Sequence, residues 1–308
     1  MHVLLTGATG FIGGRLGPAL VDAGHRVTAL VRDADRYDAP AGIGVVEGDL
    51  LDPGSFEAAL ADVDAAYYLV HSMGTGGDFA ERDRRAASNF TRAADAAGVE
   101  RVIYLGGLGE QGGDDERLSG HLRSRQEVAE ILGDGTFELT TLRAAIVVGA
   151  GSTGFEIIDQ LTRSLPVMVT PKWVRTPCQP IAVDDVVAYL TGVLDAPATA
   201  GGSYEIGGPE VLSYQEMLVE TARVAGRRLT IVPVPVLTPR LSAYWVDLVT
   251  DVPRSVAHPL IEGLKTPVVV ENDSIREHVD VELTPFATAV ERAFERDRGD
   301  AAPAAEAE

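Results

Sequence analysis

Short apolar runs alternate with segments of helical spacing through the first half of the chain. HVLLT (2–6) is the first run, and FIGGRLGPALVDAG (11–24) follows as a helix closed by Gly24. HRVTALVR (25–32) and GIGVVEGDL (42–50) are a second and a third strand, and DPGSFEAALADV (52–63) opens on an Asp-Pro helix start. AAYYLVHS (65–72) is a fourth strand. DFAERDRRAASNFTRAADAAG (78–98) then carries Phe79, Ala86, Phe90, Ala94 and Ala97 at helical spacing, and VERVIYLGG (99–107) is a fifth strand. Strands that are apolar almost throughout, separated by helices, have both faces covered. The pattern therefore predicts an α/β fold on a doubly wound parallel sheet.

The second half is less regular. A helix through Leu132 leads to a strand over FELTTLRAAIVVG (137–149), and FEIIDQLTRSL (155–165) is helical, followed by Pro- and Gly-rich turns. QPIAVDDVVAYLTGVLD (179–195) is a short strand feeding a helix, with Asp184 and Asp185 as expected helix caps, and SYEIGGP (203–209) is one more strand. The expected division is a main domain over 1–207, with segments of about 150–180 lent to a second lobe. That lobe is smaller, spans 208–298 and lies over the carboxyl edge of the sheet. The acidic, low-complexity residues 299–308 are expected to be disordered.

Composition narrows the function classes. Forty-six acids face 26 bases, a net charge of −20, and Lys172 and Lys265 are the only lysines. Such a surface repels polyanions, so nucleic acid and anionic membranes are excluded as partners. One reading of the charge is a halophilic protein, kept soluble by carboxylates that molar salt screens; the other is an acidic protein of a high-GC organism. The N-terminus lacks the basic start of a signal peptide, and the apolar stretch 229–249 is broken by Pro233, Pro235, Pro239 and Arg240, so no transmembrane segment is expected. The single Cys178 excludes an internal disulfide and fits a cytoplasmic location. The histidines show no metal-ligand spacing, so no metal is expected.

The chemistry begins at TGATGFIG (6–13), which sets Gly7, Gly10 and Gly13 between the first strand and the first helix. In a βαβ unit this is where a dinucleotide pyrophosphate meets helix amides. Gly7 makes the turn, Gly10 lets the backbone approach phosphate, and Gly13 permits close packing. Thr9, Phe11 and Ile12 complete the expected cofactor loop. Where the second strand ends, an acid would serve the ribose hydroxyls of NAD; here Val31 precedes Arg32 and Asp33. Arg32 suits a 2′-phosphate, so NADP(H) is expected over NAD(H). The alternative is that Arg32 only ends a strand and Asp33 turns inward.

TGATGFIGG, GDLLD (48–52), Asn89, AAGVERVIYLGG (96–107) and PIAVDDV (180–186) together resemble the extended or atypical short-chain dehydrogenase/reductase superfamily, over roughly residues 1–298. LVHSMG, DFAERDRRAASNF, YLGGLGE, LPVMVTPKWVRTPCQPIAVDDV and YEIGGPEVLSYQEML are similar to a subgroup likened to nucleoside-diphosphate-sugar epimerases, to an accessory subunit of NADH dehydrogenase and to NmrA-like regulators. The resemblance implies a Rossmann domain, adenine contacts at Asp49 and Leu50, and cofactor contacts at Val70 and His71. Asp49 could instead close the turn at Asp52–Pro53.

The superfamily's catalytic Ser or Thr and Tyr-x-x-x-Lys are missing. Gly106 and Gly107 stand where the hydroxyl belongs, and His121 and Arg125 of SGHLRSRQEV (119–128) stand in the Tyr and Lys slots. Arg125 could hold the nicotinamide ribose and His121 could be a general acid, or the pair could be a binding relic without chemistry. Arg143, Phe155 and Trp173 are candidate substrate-pocket residues, Cys178 and Gln179 are candidates where the lobe meets the cleft, and all have structural alternatives. The expected function is an NADP(H)-binding oxidoreductase of an unspecified small substrate. The alternatives are a cofactor-binding redox sensor or respiratory-complex accessory protein, peripheral to a membrane, and a nucleotide-sugar epimerase or dehydratase.

Overall fold

A computed structural model of the chain describes residues 1–72, 79–109, 120–170, 172–233 and 266–301. Strands β1 (His2–Thr6), β2 (Arg26–Val31), β3 (Ile43–Glu47), β4 (Ala65–Tyr68), β5 (Arg101–Gly107), β6 (Glu138–Ala144) and β11 (Ser203–Ile206) form one seven-stranded sheet. Its order is β11-β6-β5-β4-β1-β2-β3 and every pair is parallel. The direction of winding reverses between β1 and β4, and in such sheets the crevice beyond the strand ends at that point receives the ligand.

The two faces follow from the two-residue period of the strands. Val3, Leu5, Val27, Ala29 and Tyr67 turn to one side, where Leu16 and Leu20 of α1 (Gly13–Asp22) meet Val186, Leu190 and Val193 of α6 (Val183–Asp195). Leu4, Leu30, Ala66, Tyr68, Val102 and Tyr104 turn to the other. There they pack on Phe90 of α3 (Phe79–Ala97) and on Val128 and Leu132 of α4 (Gly120–Gly133). The helix expected from Asp52 is a single turn, α2 (Pro53–Phe56), continued as 3₁₀ over Glu57–Leu60.

A third core gathers α5 (Thr153–Ser164), α7 (Tyr214–Val224) and α8 (Phe286–Ala301), with Phe155, Ile158, Cys178, Met217, Leu218, Val290 and Ala293 inside it. Ile275, Val279 and Val281 return instead to the core under α6.

Several expectations are corrected here. The fourth strand stops at Tyr68, because Thr6 Oγ1 accepts the Leu69 amide at 3.2 Å while donating to the Tyr67 carbonyl at 2.9 Å. The run 137–149 is two strands: after β6 the chain turns, and β7 (Val147–Val148) pairs with β10 (Ile181–Ala182) outside the main sheet. The segment read as turns after Leu165 contains β8 (Val167–Thr170), which pairs in parallel with β13 (Thr230–Pro233), and β9 (Pro177–Cys178), which pairs antiparallel with β12 (Leu212–Ser213). Asp184 and Asp185 do not cap α6, whose N-cap is Ala182 without a side-chain bond. Asp185 is buried and takes both the amide and the hydroxyl of Thr284 at 2.8 Å, and Asp184 faces Arg292 at 3.5 Å. Helix α8 runs to Ala301, so residues 299–301 of the expected tail are helical: the helix-favouring run from Ala293 to Arg298 carries the helix on through Gly299 and Asp300, which favour it least. Residues 302–308 lie outside the described residues.

No described helix is long and apolar enough to cross a membrane. Among the described residues no group of three or more His, Cys, Asp and Glu side chains is placed to hold a metal.

Candidate cofactor site

The loop after β1 is shaped by its glycines. Gly7 has φ +71°, and a Cβ there would lie 2.7 Å from the Leu69 carbonyl oxygen of the strand end opposite. A Cβ on Gly13 would lie 2.2 Å from the Gly7 carbonyl oxygen, a backbone atom that cannot move aside. Gly10 differs: its Cβ would meet only the Gly7 carbonyl, at 3.2 Å, so the outer side of the loop stays bare. The Gly10 amide closes the turn onto Gly7 at 2.9 Å, whereas those of Phe11 and Ile12 donate to nothing among the described residues. Unpaired amides at a helix start beside a side-chain-free loop suit a pyrophosphate, which supplies the acceptors those amides lack.

Arg15 anchors this loop to the rest of the molecule. It donates to the Phe11 carbonyl at 2.7 Å and to the Ala150 carbonyl at 2.6 Å, with its guanidinium 4.5 Å over the Phe11 ring. Phe11 is thereby held against the 149–151 turn, and Thr9 and Gly10 are exposed on the outside.

At the far end of β2, Arg32 is exposed and makes no hydrogen bond or ion pair among the described residues. Asp33 is occupied, accepting the Arg36 amide at 3.3 Å and facing the Arg36 guanidinium at 4.0 Å. Glu47, level with Val31 in the sheet, takes the Ala34 amide at 3.0 Å. The Asp49 carboxylate accepts the Leu51 amide at 2.9 Å. Leu50 is buried, and its carbonyl accepts from the Asn89 side chain at 2.8 Å.

Beyond β4 lies a cluster that sequence reasoning saw only in part. Val70 and His71 are half-buried at the switch point. The His71 Nδ1 meets Asp83 Oδ2 at 2.9 Å, and the Ser72 amide donates to Asp83 Oδ1 at 2.9 Å. Ser124 of α4 donates to the same carboxylate at 3.3 Å. Next along α4, Arg125 donates to the Leu105 carbonyl at the end of β5 and lies 5.5 Å over the Tyr104 ring, while the Tyr104 hydroxyl donates to the Arg125 carbonyl at 3.1 Å. Burial pushes the His71 imidazole below its ordinary value, the Arg125 charge pushes the same way, and the Asp83 bond opposes them. Burial pushes the Asp83 carboxyl up, but the bonds from His71 and Ser72 hold it below the usual carboxylate range.

Asp83 and Ser124 were not singled out from the sequence, yet the signal was there. Asp83 stands on the stripe of Phe79, Ala87 and Phe90, and Ser124 on that of Val128 and Leu132. A carboxylate on the apolar stripe of a helix must have partners, because its burial is otherwise too costly. His121 belongs to α4, but its side chain lies outside the described residues, as does that of Trp173; Ser119 lies outside them altogether.

The remaining candidates have structural partners of their own. Arg143 is buried in an ion pair with Glu205 at 3.2 Å, whose other oxygen accepts the Glu271 amide at 2.6 Å. Phe155 is a core residue at 2% exposure, tilted against Phe294. Cys178 is fully buried, and burial pushes its thiol up to about 11. Gln179 ties two segments of the lobe together, donating to the Gly208 carbonyl at 2.8 Å and accepting the Val270 amide at 3.0 Å.

Comparison with known proteins agrees with this geometry. The sequence matches the NAD(P)H-binding family over residues 7–173, more than half of the chain. A (4-alkanoyl-5-oxo-2,5-dihydrofuran-3-yl)methyl phosphate reductase of Streptomyces griseus is 29% identical over 237 residues, 74% of this chain and 75% of that enzyme. Among solved structures, the triphenylmethane reductase of Citrobacter sp. superposes with a TM-score of 0.79 at 19% identity, covering 96% of this chain and 100% of that one. The NADPH-dependent quinone oxidoreductase of Escherichia coli, solved with NADPH, gives 0.76 at 21%, covering 95% and 99%. At such identities the two structures speak for the fold. The family match over more than half of the chain makes this protein a member of the NAD(P)H-binding family, and the glycine loop suits the pyrophosphate of such a cofactor.

Proposed function

We propose that this protein is an NADPH-dependent reductase that passes hydride to a conjugated, electron-poor acceptor. The observation that carries the reading is the site's mixture of a complete cofactor loop and an incomplete carbonyl-reducing set. Gly7, Gly10 and Gly13 with the amides of Phe11 and Ile12 would hold the pyrophosphate, Arg32 a 2′-phosphate, and Arg125 the nicotinamide end. The chain has no Tyr-x-x-x-Lys anywhere, so reduction of an isolated ketone through a tyrosine acid is not available to it. An acceptor that delocalises the incoming charge needs that acid least. The relatives' names point the same way, since an acyl dihydrofuranone, a triphenylmethane dye and a quinone are all conjugated electrophiles. When bound, the nicotinamide supplies the hydride; the protein binds, orients and excludes water.

The test is NADPH consumption with menadione, a triphenylmethane dye and a plain cyclic ketone. Turnover of menadione or the dye, with the ketone inert, supports the reading. Tight NADPH binding with no acceptor reduced favours the sensor instead, and turnover of the ketone alone refutes the acceptor class.

A further inference from the structure

The cluster beyond β4 does more than bind. We infer that His71 is the group that gives the site its proton, positioned by Asp83, so that acid–base work has moved from the helix slot of the missing tyrosine to the end of the fourth strand. The inference rests on the reductase reading and adds the residue that completes it.

Three features carry it. The first is place: His71 stands two residues past the point where Thr6 ends the β1–β4 pairing, at the switch point of the sheet, with its side chain 19% exposed and Nε2 itself covered. The second is orientation. With Nδ1 fixed on Asp83 at 2.9 Å, the neutral ring carries its proton there, and Nε2 is the nitrogen that gains and loses the exchangeable one. The third is the hub: Asp83, at 2% exposure, is held at once by the strand end through the Ser72 amide and by α4 through Ser124. A carboxylate fixed from two elements sets the imidazole's tautomer and stabilises its cation, as a histidine's orienting acid does in other enzymes. Among the described residues, the charged groups acting on the ring are Asp83 from α3, which favours the protonated form, and Arg125 from α4, which disfavours it.

The step balances. Hydride forms a new C–H bond on the acceptor, which is reduced by two electrons as the nicotinamide is oxidised. The negative charge left on the acceptor's conjugated oxygen takes the proton from His71 Nε2, which is covered in this structure, and water restores the ring's proton once the product has left. His71 is the catalytic residue here, and Asp83 acts through it.

The experiment uses the full chain with NADPH, menadione as acceptor, and ring NMR of the histidines. Wild-type protein should show a His71 that titrates below about 6.5, carries its neutral proton on Nδ1, and changes its ring signals when NADPH is added. Menadione reduction should fall as pH rises through the value NMR gives for His71 in the NADPH complex. His71→Gln should bind NADPH within about threefold of wild type yet lose roughly 10²-fold in rate, with a flat pH profile. Asp83→Asn, if it folds, should move the kinetic and the NMR titration to lower pH together. If it does not fold, Ser124→Ala, which takes a donor from the still-charged carboxylate, should move both titrations together to higher pH. A His71→Gln variant with undiminished rate overturns the proposal. If no acceptor is reduced, the reductase reading fails separately, and NMR still decides: ring signals indifferent to NADPH remove His71 from the site, and signals that shift keep it there.

Discussion

Arg32 is the smallest feature on which a functional distinction turns. It is an exposed guanidinium without a partner among the described residues, while Asp33 beside it is engaged by Arg36. A cation left unpaired near a ribose edge suits a 2′-phosphate, and the acid that NAD would want is turned to a neighbour. A charge-assisted hydrogen bond contributes about 1.5–3 kcal/mol. Arg32→Ala should therefore raise the Kd for NADPH by roughly 10–100-fold and leave that for NADH nearly unchanged, as read by fluorescence titration. An equal loss for both cofactors would remove the 2′-phosphate role. Asp49 and Leu50 carry less of the account, since each is already committed to local hydrogen bonds or core.

The elements of the first half were legible in the sequence because each strand runs apolar along both faces and each helix repeats its apolar stripe. The glycine loop was legible for a steric reason, as Gly7 and Gly13 each face a carbonyl that excludes a side chain. What stayed hidden were partners far apart in sequence. Asp185 reads as a helix cap because it opens α6, yet its carboxylate holds Thr284, 99 positions away. The dyad of His71 and Asp83 was divided between the loop after β4 and a helix, and only the stripe position of Asp83 betrayed its burial. Asp185 gives the element scale its prediction. Asp185→Ala strands the Thr284 amide and hydroxyl in a buried site, at about 2–3 kcal/mol. The melting temperature should fall by roughly 5 °C, with a smaller fall for Asp185→Asn, which keeps one acceptor. No change in Tm for Asp185→Ala would show that α6 and the 284 segment are held together by packing alone.

At the scale of the whole molecule, charge and cofactor chemistry make separate demands. A net charge of −20 opposes compaction wherever salt does not screen it. The Debye length falls from about 30 Å near 0.01 M salt to about 3 Å at 1 M. The melting temperature should therefore rise across a KCl series up to about 2 M; a constant midpoint would assign the acidity to composition rather than to a saline setting. Hydride would pass directly to a conjugated acceptor from a nicotinamide whose pyrophosphate rests on the Gly7–Gly13 loop. That transfer is tested most directly with NADPH carrying deuterium on one face of the nicotinamide C4, mixed with a triphenylmethane dye or an enone, and mass spectrometry of the product. One deuterium is expected on the acceptor carbon from one face of the labelled cofactor and none from the other. A reduced product without label from either face, or cofactor that binds and is never oxidised, would contradict it.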